Sequence, residues 1–204
     1  MMKHFGIILV VIGLTGCLGA TGPAPPVRQY VLEYAAPRIT DGAGVAETIK
    51  VGHFTAARVL AGPAMLIRQR PFRLDAYHEH RWRVAPAEMV EDFLRRDLRR
   101  AGIFRAVLSP RDAEETRFIL EGGVEEFFEV GEEAGRKALL VATLTLLDLS
   151  RQEVPARVVF QRTYRAEAPF KTEGAAGFAE AMSSAMAQFS KQATADIGEA
   201  LKGR

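Results

Sequence analysis

Residues 86–102, PAEMVEDFLRRDLRRAG, decide the fold. Pro86 suits the first turn of a helix, and Met89 or Val90, Phe93 or Leu94, Leu98 and Ala101 recur at helical spacing before Gly102, which suits a C-terminal cap. Glu88, Glu91 and Asp92 stand near the start while Arg95, Arg96, Arg99 and Arg100 crowd the end, complementing the helix dipole at both termini. A helix over about 86–101 follows, and the arginine cluster has a structural explanation.

Upstream of this helix the pattern changes to that of strands. Tyr30–Tyr34 is a short strand candidate, and Glu47–Arg58 alternates with Ile49, Val51 and His53 on one face. Met65–Gln69 and Phe72–Trp82 are two more, separated at Arg70-Pro71, where proline cannot donate to a ladder. Downstream, Phe104–Leu108 is short, and Arg117–Val130 alternates through Phe118, Leu120, Val124, Phe128 and Val130, with Gly122-Gly123 suggesting a bulge. Lys137–Leu149 is apolar on both faces, as a covered central strand would be, and Arg157–Ala166 alternates again. Polar turns join these last three, so they read as an antiparallel meander. The chain then ends in a helix from about 174 to 201. Phe178, Met182, Met186, Phe189, Ala193, Ile197 and Leu201 form one stripe of it, read as core rather than as a methionine-rich surface for lipid or a partner. The order strands, helix, strands, helix predicts an α+β domain: a largely antiparallel sheet with two main helices, about 86–101 and 174–201, packed on it.

The first residues carry a different signal. Lys3, the apolar run Phe5–Leu14 and the small residues before Cys17 have the layout of a signal peptide over 1–16. The run is about ten residues, whereas a bilayer-spanning helix needs roughly 20. Leu14-Thr15-Gly16-Cys17 resembles the lipobox of bacterial lipoproteins, which implies cleavage before Cys17 and lipid on that cysteine. The competing reading, an ordinary secretory signal with a chance cysteine, has against it that this is the chain's one cysteine. A single acyl chain anchors weakly, so the several implied here would hold firmly. In Gram-negative lipoproteins an Asp after the cysteine favours inner-membrane retention. Leu18 stands there instead, which implies sorting to the outer membrane with the domain facing the periplasm. Residues 17–28, rich in Gly, Pro and Ala, read as a tether, and 29–204 as a single domain.

Composition narrows the function. The formal charge of +2 drops to about +1 when Lys3 leaves with the signal, which gives no electrostatic case for nucleic acid. With no cysteine beyond Cys17, an intramolecular disulfide is excluded and packing alone must hold the fold. There is no Gly-x-Ser-x-Gly elbow and no Gly-x-x-x-x-Gly-Lys loop, so neither nucleophilic hydrolysis nor ATP hydrolysis is indicated. His78-Glu79-His80 would put two imidazoles on one strand face, with Asp75 or Glu79 able to add oxygen. A structural zinc wants four ligands, however, and His4 and His53 are badly placed to help, so no metal or other cofactor is assigned beyond the covalent lipid.

Met65-Leu66-Ile67-Arg68 through Phe72-Arg73-Leu74, Tyr77, Arg81-Trp82, Pro86 and the helix closing in 101–107 (AGIFRAV) resemble the ABC-type transport auxiliary lipoprotein family, which includes paraquat-inducible protein C. Gln29-Tyr30-Val31-Leu32 resembles the start of that family's domain, although the family often has a second aromatic where Gln29 stands. The resemblance implies a non-enzymatic component of an MCE-type ABC system that moves lipids between membranes. Its implied partners are a periplasmic MCE-domain protein, a permease and an ATPase, with homo-oligomerisation open. Tyr30, Tyr77 and Trp82 are the candidate partner contacts, an aromatic with a polar tip suiting an interface, and the competing reading is that they are core or sheet-face residues. Two other functions stay open: a lipoprotein that carries a small apolar ligand in its own cavity, and a structural envelope lipoprotein.

Overall fold

The computed structural model describes residues 26–37, 45–132 and 135–202; the signal segment, Cys17, Leu18 and most of the tether lie outside them. The first helix, α1 (Pro86–Ala101), has the predicted bounds, with Pro86 in its first turn and Gly102 in the left-handed conformation at φ 65° just past its end. Its buried face carries Met89, Val90, Leu94 and Leu98, together with two acids that periodicity alone would place in solvent, Glu91 and Asp97. The second long helix, α3 (Gly174–Leu201), likewise matches its expected span. Every residue of the Phe178–Leu201 stripe is at most 1 % exposed, so the methionines Met182 and Met186 are core.

Nine strands share one sheet among the described residues. They are β1 (Arg28–Tyr30), β2 (Val45–Val51), β3 (Thr55–Ala56), β4 (Ala64–Arg70), β5 (Arg73–Trp82), β6 (Phe104–Leu108), β7 (Phe118–Glu132), β8 (Gly135–Asp148) and β9 (Val158–Pro169), with a single helical turn, α2 (Val154–Arg157), before β9. The first strand begins and ends earlier than Tyr30–Tyr34. The run through Arg58 breaks after Val51, which leaves His53 exposed while Ile49 and Val51 are buried.

The largely antiparallel sheet expected from the sequence is corrected. β1 pairs with β5, β2 with β6 and β7, and β3 and β4 with β7, all parallel. Only β4–β5 and the β7-β8-β9 meander are antiparallel, so the sheet is mixed, largely parallel and curled. The physical reason is that alternation tells which face of a strand is buried, not which strand lies beside it. Parallel neighbours need a long crossover, and the chain between the parallel pair β4 and β7, running through β5, α1 and β6, supplies one. The predicted bulge is also displaced. The register of β7 against β8 slips between Val124 and Glu126, not at Gly122-Gly123. Gly122 has another reason: a Cβ there would come within 2.4 Å of the Phe54 ring, which lies flat on its backbone.

Two buried carboxylates tie these layers together. Asp97 is fully buried and accepts from Tyr34 Oη at 2.7 Å and Ser190 Oγ at 2.6 Å, while Arg96 Nε donates to its other oxygen at 2.7 Å. The Arg96 guanidinium also lies over the rings of Tyr34 and Phe93, so the segment after β1, α1 and α3 meet at one anion. Burial, then the hydrogen bond to Asp97, pushes the Tyr34 phenol well above its ordinary range. At the other end of the sheet Asp148 is gripped by Arg117 through two bonds of 3.0 Å and by Ser150 Oγ at 2.6 Å.

Asp97→Ala would leave two hydroxyls and a guanidinium without their anion, and is expected to destabilise the domain by roughly 3 kcal/mol in denaturant titration. For Asp148, the Arg117 bonds hold the carboxyl well below its usual value. A depressed pKa stabilises the fold above the unfolded value, about 3.9, and that contribution is lost as pH falls through and below it. Asp148→Asn should therefore be less stable than the parent at neutral pH. Its unfolding midpoint should also fall less steeply than the parent's as pH drops from about 5 to 3.

Candidate partner-binding site

The three aromatic residues singled out in the sequence come together where β1 and β5 meet the first turns of α3. The cause is an irregularity in β5. Ala64 pairs with Arg81 but Leu66 pairs with Ala76, so five residue steps on β5 oppose two on β4. This slack breaks the strict alternation of a strand and brings Tyr77 and His80, three residues apart, into edge-to-face contact at 5.7 Å. His80 is thereby engaged on two sides, by Tyr77 and by Tyr30. Among the described residues no group of three His, Cys, Asp or Glu side chains is placed to hold a metal.

Tyr30 Oη and the Nδ1 of His80 share a hydrogen bond of 2.9 Å, with ring centroids 5.5 Å apart. Tyr77 donates at 2.5 Å to Glu129 on β7, a fully buried carboxylate whose other oxygen meets Arg136 of β8 at 2.6 Å. Arg136 continues to Glu173 at 2.5 Å and lies 5.7 Å over Phe170. Burial, followed by the bond to Glu129, raises the Tyr77 phenol well above its ordinary range, so it stays a neutral donor. Phe178 of α3 is the hub of the aromatic side, touching Tyr77, Phe170 and Trp82 with centroids 6.4, 6.0 and 5.2 Å away.

Tyr30 and Tyr77 are half-buried, whereas Trp82 is 1 % exposed and wedged between Phe178 and Phe127. In this chain Trp82 is therefore a core residue standing behind the site. Beside Tyr30 runs an open groove of about 400 Å³ lined by Gln29, Val31, Glu33, Ala176, Ala179 and Ser183. Its floor is fixed by Ser183 Oγ, which accepts from the Glu33 backbone N–H at 2.9 Å. Sequence reasoning missed Glu129, Arg136 and Ser183. The one signal in reach was an acid inside the otherwise apolar run 127–130, a buried charge that demands a partner. The start of α3 is held by contact so close that Gly177 admits no side chain, since a Cβ would fall 1.7 Å from the Thr172 carbonyl oxygen.

The family model for the ABC-type transport auxiliary lipoprotein component matches residues 30–194, nearly all of the described fold. The chain belongs to that family. Among solved structures it is similar to protein XCC0632 from Xanthomonas campestris, with a TM-score of 0.78 and 21 % identity over 86 % of this chain and 97 % of that one. It also resembles a hypothetical protein, CT253, from Chlamydia trachomatis, at a TM-score of 0.55 and 7 % identity over 78 % and 100 % of the two chains. These likenesses are of fold. No curated protein matches the chain. As a member of this family the protein is a membrane-anchored lipoprotein, an auxiliary component associated with an ABC transport system. No helix among the described residues is long and apolar enough to cross a membrane.

Tyr77→Phe removes one donor from the buried Glu129 and is expected to lower stability by about 2 kcal/mol. In a double-mutant cycle with Glu129→Gln the two losses should be clearly less than additive, as measured by equilibrium unfolding.

Proposed function

We propose that this chain is the outer-membrane lipoprotein of an MCE-type ABC system that moves lipids across the periplasm, and that it docks the periplasmic MCE protein to the outer membrane without catalysing a reaction. Residues 1–16 are the signal peptide, Cys17 carries the lipid, Leu18 permits outer-membrane sorting, 17–28 is the tether and 29–204 the docking domain. The observation that carries this proposal is the family match across residues 30–194. The groove beside Tyr30 and the face of Tyr77 are the proposed contact with the MCE partner, because there a half-buried aromatic pair borders a cleft on a rigid polar frame.

A lipid carrier that shelters its cargo inside the domain is the second possibility, and the packing speaks against it. Trp82, Phe118, Phe127, Phe178, Phe189 and Tyr164 interlock with exposures of at most 2 % between sheet and helices. The cleft of about 420 Å³ under His53, Glu91 and Arg95 is lined by charges.

The test is an affinity pull-down of the full-length lipoprotein from detergent-solubilised envelopes, with proteins identified by mass spectrometry and Cys17→Ala as the unanchored control. Co-purification of an MCE protein with its permease and ATPase is the expected result. An eluate holding only this chain with bound lipid would favour carriage, and neighbouring genes lacking those three subunits would favour a structural envelope role.

A further inference from the structure

We propose that the β4–β5 hairpin tip is a second membrane contact, which inserts into the phospholipid interface beside the lipid anchor and stands the domain upright on the bilayer. The proposal rests on the lipid being attached at Cys17.

The tip is built for exposure. Arg70 pairs with Arg73, so the loop is the two residues Pro71 and Phe72. Proline fixes its own φ near −65°, and a turn of this kind then needs a positive φ at the next position, which Phe72 adopts at 63° although glycine would do so more easily. The consequence is an aromatic ring with no cover at all: Phe72 is 109 % exposed, and Leu74 beside it is 37 % exposed. Arg73 is neutralised by Asp75 at 2.9 Å, whereas Arg70 has no acidic partner among the described residues and is free to donate to a phosphate. The contact is led by the apolar ring rather than by charge.

Strand direction says which membrane-bound object this tip would meet. β1 runs parallel to β5, with Arg28 opposite His80 and Tyr30 opposite Trp82. The chain before Arg28 therefore leaves the sheet toward the start of β5, the end that bears Phe72. From the Ala64–Arg81 pair to the Arg70–Arg73 pair is six residues of β4, about 20 Å at the rise of a strand. The eleven residues from Cys17 to Arg28 can reach about 36 Å when extended. The tip is thus on the side from which the chain enters β1 and within the reach of an anchor at Cys17. One aromatic ring binds a bilayer weakly by itself, but a tether of this length makes its insertion intramolecular, where weak contacts are populated. The opposite end, with α2 and the exposed Val154, would then point away from the membrane.

The experiment uses the full-length lipidated chain in phosphatidylcholine and phosphatidylglycerol vesicles made with or without bromine on the acyl chains. Reporter variants are Phe72→Trp and, at the far end, Val154→Trp, with buried Trp82 as a constant background. The expected result is that the chain floats with the vesicles and that the Phe72→Trp reporter loses about half its emission to brominated lipid while the Val154→Trp reporter is unchanged. A chain that floats with neither reporter quenched overturns the contact and leaves the anchor standing, and equal quenching of both overturns the upright orientation. If the Phe72→Trp emission changes only when solubilised envelope proteins are added, the tip docks a protein and the membrane contact is overturned. Failure to float overturns the anchor itself, and the contact with it.

Discussion

A strand has two edges, and the whole architecture follows from how the 15-residue β7 uses both of its own. Along one edge it accepts β2, β3 and β4 in turn, at 118–120, 123–124 and 128–130, all parallel. Along the other it accepts β8 almost end to end, antiparallel. Three of the upstream strands, β2, β3 and β4, are thereby placed by one later strand, and their backbone groups, costly to bury unpaired, find partners in it. Gly122 is what this arrangement requires at the crossing point, because the Phe54 ring occupies the space a side chain would need. The slip between Val124 and Glu126 lets the strand curl enough for β8, buried along 138–142 on both faces, to sit at the centre.

What could be read in the sequence divides along the same line. Both helices were legible to the residue because a helix is a local object: its period, its proline or glycine punctuation and its charge gradient all lie within one stretch. The meander of β7, β8 and β9 was legible for a similar reason, since short polar turns force sequential strands to be neighbours. Strand direction elsewhere was not. Whether β4 lies beside β7 in parallel depends on a crossover through α1 that no alternation records, and the three-residue slack in β5 that unites Tyr77 with His80 leaves no compositional mark.

The candidate site was half legible. Tyr30, Tyr77 and Trp82 do gather, but the groups that hold them were hidden because they are acids where periodicity expects apolar residues. Asp97 in α1 and Glu129 in β7 are both fully buried, and each accepts from a tyrosine and is ion-paired with an arginine. Such a pairing is a poor source of net stability compared with apolar packing, yet it strongly penalises any arrangement that separates the partners. The two carboxylates therefore act as position markers. One fixes α1, α3 and the segment after β1; the other fixes β5 to β7 and, through Arg136 and Glu173, the entry to α3.

This division of labour bears on what an auxiliary subunit can do. The titratable groups around Tyr30 and Tyr77 are spent on one another: the Tyr77 phenol is held neutral, its carboxylate partner is already bridged by Arg136, and His80 is bonded to Tyr30. A general acid needs a proton it can give up near neutral pH, and a phenol pushed far above its ordinary range by burial holds its proton there. A rigid frame with half-exposed aromatic faces beside a groove offers what a docking surface needs, since ordering losses on binding are small when the contact residues are already fixed. The parallel register of β1 with β5 likewise fixes the direction of the chain at Arg28, which enters the sheet from the side of the β4–β5 tip.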